Sequence, residues 1–174
     1  NLCNASPAAD LAPPLIALNA QVEIAGKNGI RWLPVGDFFK GPGRSALAAG
    51  EMLIGIRLPK PDPDQHSIYL KMSPRGAMDI AVVGIAVALT SRCGVCQNAQ
   101  IVMGAVGPVP LRAEKAEISL LGLSIGAEHI QQAARLAADA ARPIDDVRAS
   151  AWYRKAVTEA LTRRALFNLT GAAG

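Results

Sequence analysis

Asn1, Asn4, Ser6 and Asp10 stand among small residues in the opening stretch NLCNASPAADLAPPLIAL. Pro7 and the scattered polar side chains break any helical or strand period, so the residues before Asp10 read as a loop. Small residues let a backbone approach a ligand closely and leave N–H groups to point at it. Asp10 falls where a helix N-cap belongs, with Pro13 and Pro14 in the first turn and Leu15, Ile16 and Leu18 behind them. A loop of amides that ends at a helix N-terminus is a cradle for an anion or a sugar phosphate. The plainer alternative for the same residues is an ordinary capped helix.

Other constellations carry less chemistry. Cys93-Gly94-Val95-Cys96 has the spacing of a dithiol or of half a zinc site. Zinc needs two further ligands, and Cys3, His66 and His129 show no paired spacing. A thioredoxin-like dithiol needs a strand running into a helix, whereas these cysteines fall on a predicted hairpin turn. A turn with two thiols is the simpler reading. His66 in a linker and His129 on a predicted helix have no Ser, Cys or carboxylate in a local triad signature. Asp62 and Asp64, set between prolines, read as solvated linker, so nothing points to nucleophilic hydrolysis.

The elements that must hold these residues follow from pattern. QVEIAG and IRWLPV flank Lys27-Asn28-Gly29, a hairpin signal, and Phe38 and Phe39 are core candidates before the turn KGPGRS. EMLIGIRLP reads as a strand with Met52, Ile54, Ile56 and Leu58 on one face. The segment KPDPDQ, residues 60–65, cannot continue a strand and divides the chain into domains 1–60 and 66–174. Beyond it, SIYLKMSP, DIAVVGIAVALTS and AQIVMGAV predict three strands, the last two joined by the hairpin RCGVCQN. Strands that are apolar throughout are buried on both faces or covered by helices. LRAEKAEISLLG, IGAEHIQQAARLAADAAR and residues 145–169 then predict three helices, the second stopped by Pro143. In the last, Trp152, Ala156, Ala160 and Leu161 form the packed side and Arg154, Lys155, Arg163 and Arg164 the exposed one. Strands followed by helices indicate α+β, with the helices on one side of an antiparallel sheet.

Composition narrows the partners. With 51% apolar and 18% charged residues the 174-residue chain is globular. A net charge of +4, from 18 basic and 14 acidic residues without a dense basic tract, gives no footprint for nucleic acid. The longest apolar stretch, residues 80–89, is about half of the ~20 residues that span a bilayer. Three cysteines are too few and too odd in number for a disulfide framework, which suits reduced thiols and a cytoplasmic location.

Four blocks occur in a recognisable order: NLCNASPAADLAPPLIAL, DFFKGPGRSALAAGEMLIGIRLP, YLKMSPRGAMDIAVVGIAVAL and VRASAWYRKAVTEALTRRAL. Together they resemble the FAD-binding medium subunit of the molybdenum hydroxylases, the family of xanthine dehydrogenase, aldehyde oxidase and carbon monoxide dehydrogenase. The resemblance covers nearly the whole chain. It implies that residues 1–60 are the second half of a two-part FAD-binding α+β domain. Residues 66–174 would form the C-terminal α+β sandwich, an antiparallel three-stranded sheet covered by about three helices.

The same resemblance assigns the site residues. Asn1 and Asn4 would run along the diphosphate and ribityl region, Asp10 would bond a cofactor hydroxyl, Leu53 would pack by the flavin ring and Lys71 would reach the cofactor. Each of the last three has a plainer reading or a supporting one. Leu53 fits an ordinary core, Asp10 fits a helix cap, and Lys71 on a mostly apolar strand has to reach something polar. Arg75 would line the flavin edge or acceptor side, or else pair with Asp79. The subunit would pass electrons from 2Fe-2S clusters on a small subunit through FAD to an acceptor. Hydroxylation would belong to a large molybdopterin-binding subunit, the whole being a flavin- and molybdenum-dependent oxidoreductase.

In the family a Gly-rich phosphate loop and a Gly-Gly pair precede the residue matching Asn1, and this chain has neither. The expectation is a C-terminal portion with a half-built cradle, inactive and loose in its grip on FAD when alone. The alternative function is a non-catalytic structural and assembly fragment that does not bind FAD by itself.

Overall fold

The computed structural model describes residues 1–75 and 79–171. After the opening loop, helix α1 (Ala12–Ala17) leads into a hairpin of β1 (Gln21–Gly26) and β2 (Gly29–Pro34). A single turn α2 (Val35–Phe38), the short ribbon β3 (Phe39–Gly41) and β4 (Arg44–Ser45), and β5 (Met52–Arg57) complete the first part. The second part runs β6 (Gln65–Met72), β7 (Val83–Arg92), β8 (Val95–Gly104), β9 (Leu111–Arg112), α3 (Glu114–Ile118), α4 (Ala127–Ala140) and α5 (Ala151–Thr170). One sheet has the order β2-β1-β5 and the larger one β6-β7-β8-β9, with antiparallel pairing throughout. The architecture is α+β as expected, and the two-residue β9 adds a fourth strand to the three that the pattern predicted.

The larger sheet is the frame of the molecule. On β7, Val83, Ile85, Val87 and Leu89 face one core with Ile101, Met103, Leu120, Ile130, Val157 and Leu166. Ala86 and Ala88, on the opposite face, join Ile16, Val22, Ile24 and Phe38 in a second core. This period-two division explains why the strand is apolar throughout: each face is covered, by α3, α4 and α5 on one side and by α1 and the smaller sheet on the other. At roughly 1.5–3 kcal/mol for each fully buried aliphatic or aromatic side chain, these two cores dominate the stabilisation.

Glycines set two of the close approaches. The β7–β8 turn is Cys93-Gly94, both with positive φ (50° and 77°), a two-residue connection of the I′ kind that matches strand twist. At Gly104 on β8, an added Cβ would stand 2.8 Å from Cγ of Pro13, so the bare glycine lets α1 lie on the sheet.

Several local expectations are corrected. Asp10 is not the N-cap of α1: that position is Leu11, without a side-chain cap, because the Asp10 carboxylate is drawn away to β6. The first of the three predicted helices shrinks to Glu114–Ile118, since Leu111 and Arg112 pair with β8. The third begins at Ala151, where the Ser150 hydroxyl accepts from the Tyr153 N–H at 3.2 Å, and residues 145–150 form a turn before it. Its packed stripe is Arg154, Val157, Thr158, Leu161, Thr162, Ala165 and Leu166, while Trp152 is 77% exposed and Ala156 and Ala160 also face outward. Asp62 and Asp64 are not free linker charges, because the Arg92 guanidinium at the end of β7 donates to them at 2.8 and 3.1 Å.

On β5 the expected single face of Met52, Ile54, Ile56 and Leu58 is broken by a bulge, which sets Met52 opposite Ala25 but Ile56 opposite Val22; Met52, Ile54, Ile56 and, just beyond the strand, Leu58 are all exposed at the sheet edge. Phe38 and Phe39 are both buried, their rings edge to face with centroids 5.6 Å apart.

A cavity walled by the opening loop

The opening loop is a chain of tight turns pinned at both flanks. Leu2 and Ala5 anchor it in the core. The Ala5 carbonyl accepts from Gly43 N–H at 3.0 Å, and the Pro7 carbonyl accepts from Ala105 N–H at 2.8 Å. Within it, Ala5 sits at φ 44°, and the Ser6 hydroxyl accepts from Ala8 N–H at 3.3 Å. The side-chain oxygen of Asn1 accepts from Leu11 N–H at 3.2 Å and so ties the loop to the start of α1. That bond leaves the Asn1 amide nitrogen as a donor.

This loop forms one wall of a cavity of about 980 Å³. Asn1, Asn4, Ser6, Ala8, Ala9 and Asp10 line that wall. Lys71, Asp79 and Ile80 line a second side, and Arg142, Asp146, Arg148 and Arg154 a third.

The polar centre of the wall is Asp10. Its Oδ1 accepts from the Tyr69 hydroxyl at 3.0 Å and its Oδ2 from Lys71 Nζ at 2.9 Å. Lys71 also donates to the Asp79 carbonyl at 2.8 Å. Tyr69 and Lys71 are two apart on β6, so strand alternation sends both side chains to the same face. Partial burial, then the charge of Asp10, push the Tyr69 phenol above its ordinary range. Next to this cluster, Asp79 accepts from the Arg75 backbone N–H at 2.8 Å and from its guanidinium at 3.2 Å. The Arg75 side-chain bond, followed by the backbone bond, holds the Asp79 carboxyl below the usual carboxylate range. The Arg75 side chain itself is 78% exposed.

The third side was missed by sequence reasoning. Arg154, predicted on the solvent face of α5, is 3% exposed. It donates through Nη1 to the carbonyls of Val82 and Ala105, at 2.6 and 3.0 Å, and through Nη2 to Asp146 at 2.7 Å. Asp146 also accepts from the Arg148 N–H at 2.9 Å. That bond and the Arg154 ion pair lower its carboxyl from the ordinary value. A signal for the burial of Arg154 is present in the sequence: Arg154, Val157, Thr158 and Leu161 fall at i, i+3, i+4 and i+7, on one face of a helix.

Of the residues singled out in the sequence, Asn1, Asn4, Asp10 and Lys71 thus meet at one cavity. Leu53 and Arg75 are not among its lining residues. Leu53 is half-buried on β5 opposite Ile24, packed on the second core, and Arg75 is engaged with Asp79. Gly76, Ala77 and Met78 of the PRGAMDIA block lie outside the described residues. Cys93 is exposed and Cys96 buried on the far side of the hairpin turn, and among the described residues no group of three His, Cys, Asp or Glu is placed to hold a metal.

Comparison with known proteins places this arrangement. Residues 68–169 match the family described as the CO dehydrogenase flavoprotein C-terminal domain, and residues 1–61 match the FAD binding domain in molybdopterin dehydrogenase. The chain belongs to this flavoprotein family. The putative xanthine dehydrogenase FAD-binding subunit of Escherichia coli (strain K12) is 28% identical over 176 residues, covering 100% of this chain and 60% of its own length. The carbon monoxide dehydrogenase medium chain of Afipia carboxidovorans is 32% identical over 166 residues, covering 95% of this chain and 57% of its own. Among solved structures, CO dehydrogenase from Oligotropha carboxidovorans superposes with a TM-score of 0.92 at 30% identity, over 99% of this chain and 60% of that one. Quinoline 2-oxidoreductase from Pseudomonas putida 86 gives 0.90 at 29% identity, over 98% of this chain and 59% of that one. The chain therefore spans about 60% of the length of these relatives.

The cavity fits the dinucleotide that the family description names. A diphosphate wants N–H and cationic donors, and Asn1, Asn4, Lys71, Arg142 and Arg148 supply them on its walls. Cofactor hydroxyls want an acceptor, which Asp10 is. Small side chains at Ser6, Ala8 and Ala9 permit close approach to the loop backbone. Among the described residues no helix is long and apolar enough to cross a membrane.

Proposed function

We propose that this chain contributes one wall of an FAD site in an electron-transfer flavoprotein subunit of a molybdenum hydroxylase. The observation that carries the reading is the meeting of Asn1, Asn4, Asp10 and Lys71, drawn from two distant parts of the sequence, at one cavity. When bound, the flavin would supply the two-electron chemistry. The chain's own work is to bind and orient. Asp10 accepts from a cofactor hydroxyl, Asn1 and Asn4 donate along the diphosphate and ribityl region, and Lys71 places a fixed positive charge beside the carboxylate. Leu53, on the first part, belongs to the ring-packing side, and Arg75 to the acceptor side through its hold on Asp79. Residues 1–60 act as the second half of the FAD-binding domain and 66–174 as the unit that closes the cavity. The partners are a large molybdopterin-binding subunit and a small 2Fe-2S subunit in the cytoplasm, and electrons pass from the clusters through FAD to an acceptor.

The test is FAD affinity, measured by titration. Wild-type protein is expected to bind FAD weakly but measurably, and Asp10→Ala at least about tenfold more weakly, as for loss of a charged hydrogen bond. Equal affinity in the two would overturn the reading.

A second reading draws on the exposed apolar side chains Met52, Ile54, Ile56 and Leu58 along the β5 edge. In it the fragment serves assembly and holds no flavin of its own. FAD titration with melting temperature as readout separates the two, because a bound ligand raises the melting temperature and an unbound one does not.

A further inference from the structure

Asp10 is held by two donors, of which the sequence pointed to one. Tyr69 is the other, and its place on β6 is unusually well defined. A Cβ added at Gly84 on the neighbouring strand would stand 2.5 Å from the Tyr69 hydroxyl and 3.1 Å from its ring. Only glycine at that position lets the phenol lie against β7 and reach across to the opening loop. Packing alone would be served by phenylalanine, yet the ring ends in a hydroxyl whose oxygen is 3.0 Å from Asp10 Oδ1.

With Tyr69 on Oδ1 and Lys71 on Oδ2, each carboxylate oxygen has one donor, and the plane of the group is fixed. A carboxylate has about four lone-pair sites, so acceptor capacity remains on the side that lines the cavity. Lys71 alone would leave the carboxylate free to turn about a single contact at the end of a flexible stem. Tyr69, with only two side-chain torsions and its ring wedged over Gly84, is the more rigid of the two anchors.

We infer that Tyr69 is a positioning residue for the dinucleotide, its hydroxyl holding Asp10 so that the unused carboxylate lone pairs accept from a cofactor hydroxyl. The inference rests on the FAD reading above and adds to it a residue outside the assigned set. Because partial burial and the Asp10 charge raise the phenol's pKa, the hydroxyl remains a donor throughout the physiological range.

FAD affinity of the deflavinated protein is measured by fluorescence quenching for wild type, Tyr69→Phe, Asp10→Ala and the double variant. Tyr69→Phe is expected to weaken binding about fivefold to tenfold, less than the loss of a direct hydrogen bond to a charged group because the effect passes through Asp10. In the Asp10→Ala background the same change is expected to cost less than about twofold, since the group it positions is gone. Gly84→Ala, which displaces the hydroxyl without touching Asp10, is expected to reproduce the Tyr69→Phe loss in the wild-type background and to vanish likewise in Asp10→Ala. Unchanged affinity in Tyr69→Phe would overturn the inference while leaving the FAD reading intact. So would a loss that persists in full without Asp10, which is the mark of plain packing. No binding by wild type would take down both.

Discussion

The guanidinium of Arg154 donates to Asp146 at 2.7 Å and, from the same side chain, to the carbonyls of Val82 and Ala105. Ala105 in turn donates its N–H to Pro7, so a buried charge on the last helix fastens the loop against which the opening segment rests. Removing one partner from a buried, hydrogen-bonded ion pair costs far more than its net worth, because the remaining groups stay desolvated. Arg154→Ala is expected to destabilise the chain by roughly 3 kcal/mol, and Arg154→Lys by less, since an ammonium keeps the charge and can still meet some of the three acceptors. Urea unfolding midpoints check this; a change under about 0.5 kcal/mol for Arg154→Ala would show the network to be dispensable.

Two glycines with the same nominal clash should respond differently. A Cβ at Gly104 meets the Pro13 ring at 2.8 Å, and one at Gly55 meets the Glu23 carboxylate oxygen at 2.8 Å. The proline belongs to a helix packed on the sheet and cannot step aside, whereas the Glu23 carboxylate swings on a flexible stem. Gly104→Ala is therefore expected to cost roughly 1–3 kcal/mol and Gly55→Ala less than about 0.5, measured side by side by thermal unfolding. Equal costs would mean that α1 is free to shift.

The uneven legibility of this chain has the same physical origin. Period and turn chemistry are local, so the Lys27-Asn28-Gly29 hairpin, the doubly buried β7 and the Cys93-Gly94 turn can all be read from neighbours in sequence. The partners of a charge are not local. Asp10 reads as a helix cap from its neighbours Pro13, Pro14 and Leu15, because the donors that hold its carboxylate stand 59 and 61 residues away. Arg154 reads as solvent-facing because its three acceptors lie just before β7, in the loop after β8 and in the turn before the helix. The Asn1, Asn4, Asp10 and Lys71 set was legible only through the resemblance of whole blocks. The cavity's arginine-rich side carried no such signal.

Acid should strip one surface contact before the fold itself. Bonds from Arg31, then from the Ala48 N–H, hold the Glu51 carboxyl at about 2, below its ordinary 4.5. A depressed carboxylate pKa contributes stability that is complete above the unfolded value and is lost as pH falls through the folded one. The Glu51 contribution is thus full at neutral pH and declines from about pH 4.5 towards 2. Asp79 and Asp146, also lowered, add losses of the same sign. Melting temperatures of wild type and Glu51→Gln are expected to differ most above pH 5 and to converge as the pH approaches about 2. A gap that stays constant with pH would show that ionisation of Glu51 is not what stabilises the β2 flank.

The three thiols offer a direct check on the hairpin and on the opening loop together. Cys3 and Cys93 are exposed, whereas Cys96 is buried, its sulfur 3.6 Å from the Asn98 carbonyl, and burial pushes its thiol pKa up. Disulfide reagents attack thiolates, so both access and ionisation disfavour Cys96. Ellman's reagent at neutral pH is expected to modify two thiols quickly and the third only on unfolding, with Cys93→Ser removing one fast equivalent and Cys96→Ser removing none. Three fast equivalents in the native protein would mean that the β7–β8 hairpin opens readily. That result would also contradict the burial of Cys96 in the first core, where its backbone bonds to Gly122 and Leu123 in the segment after α3.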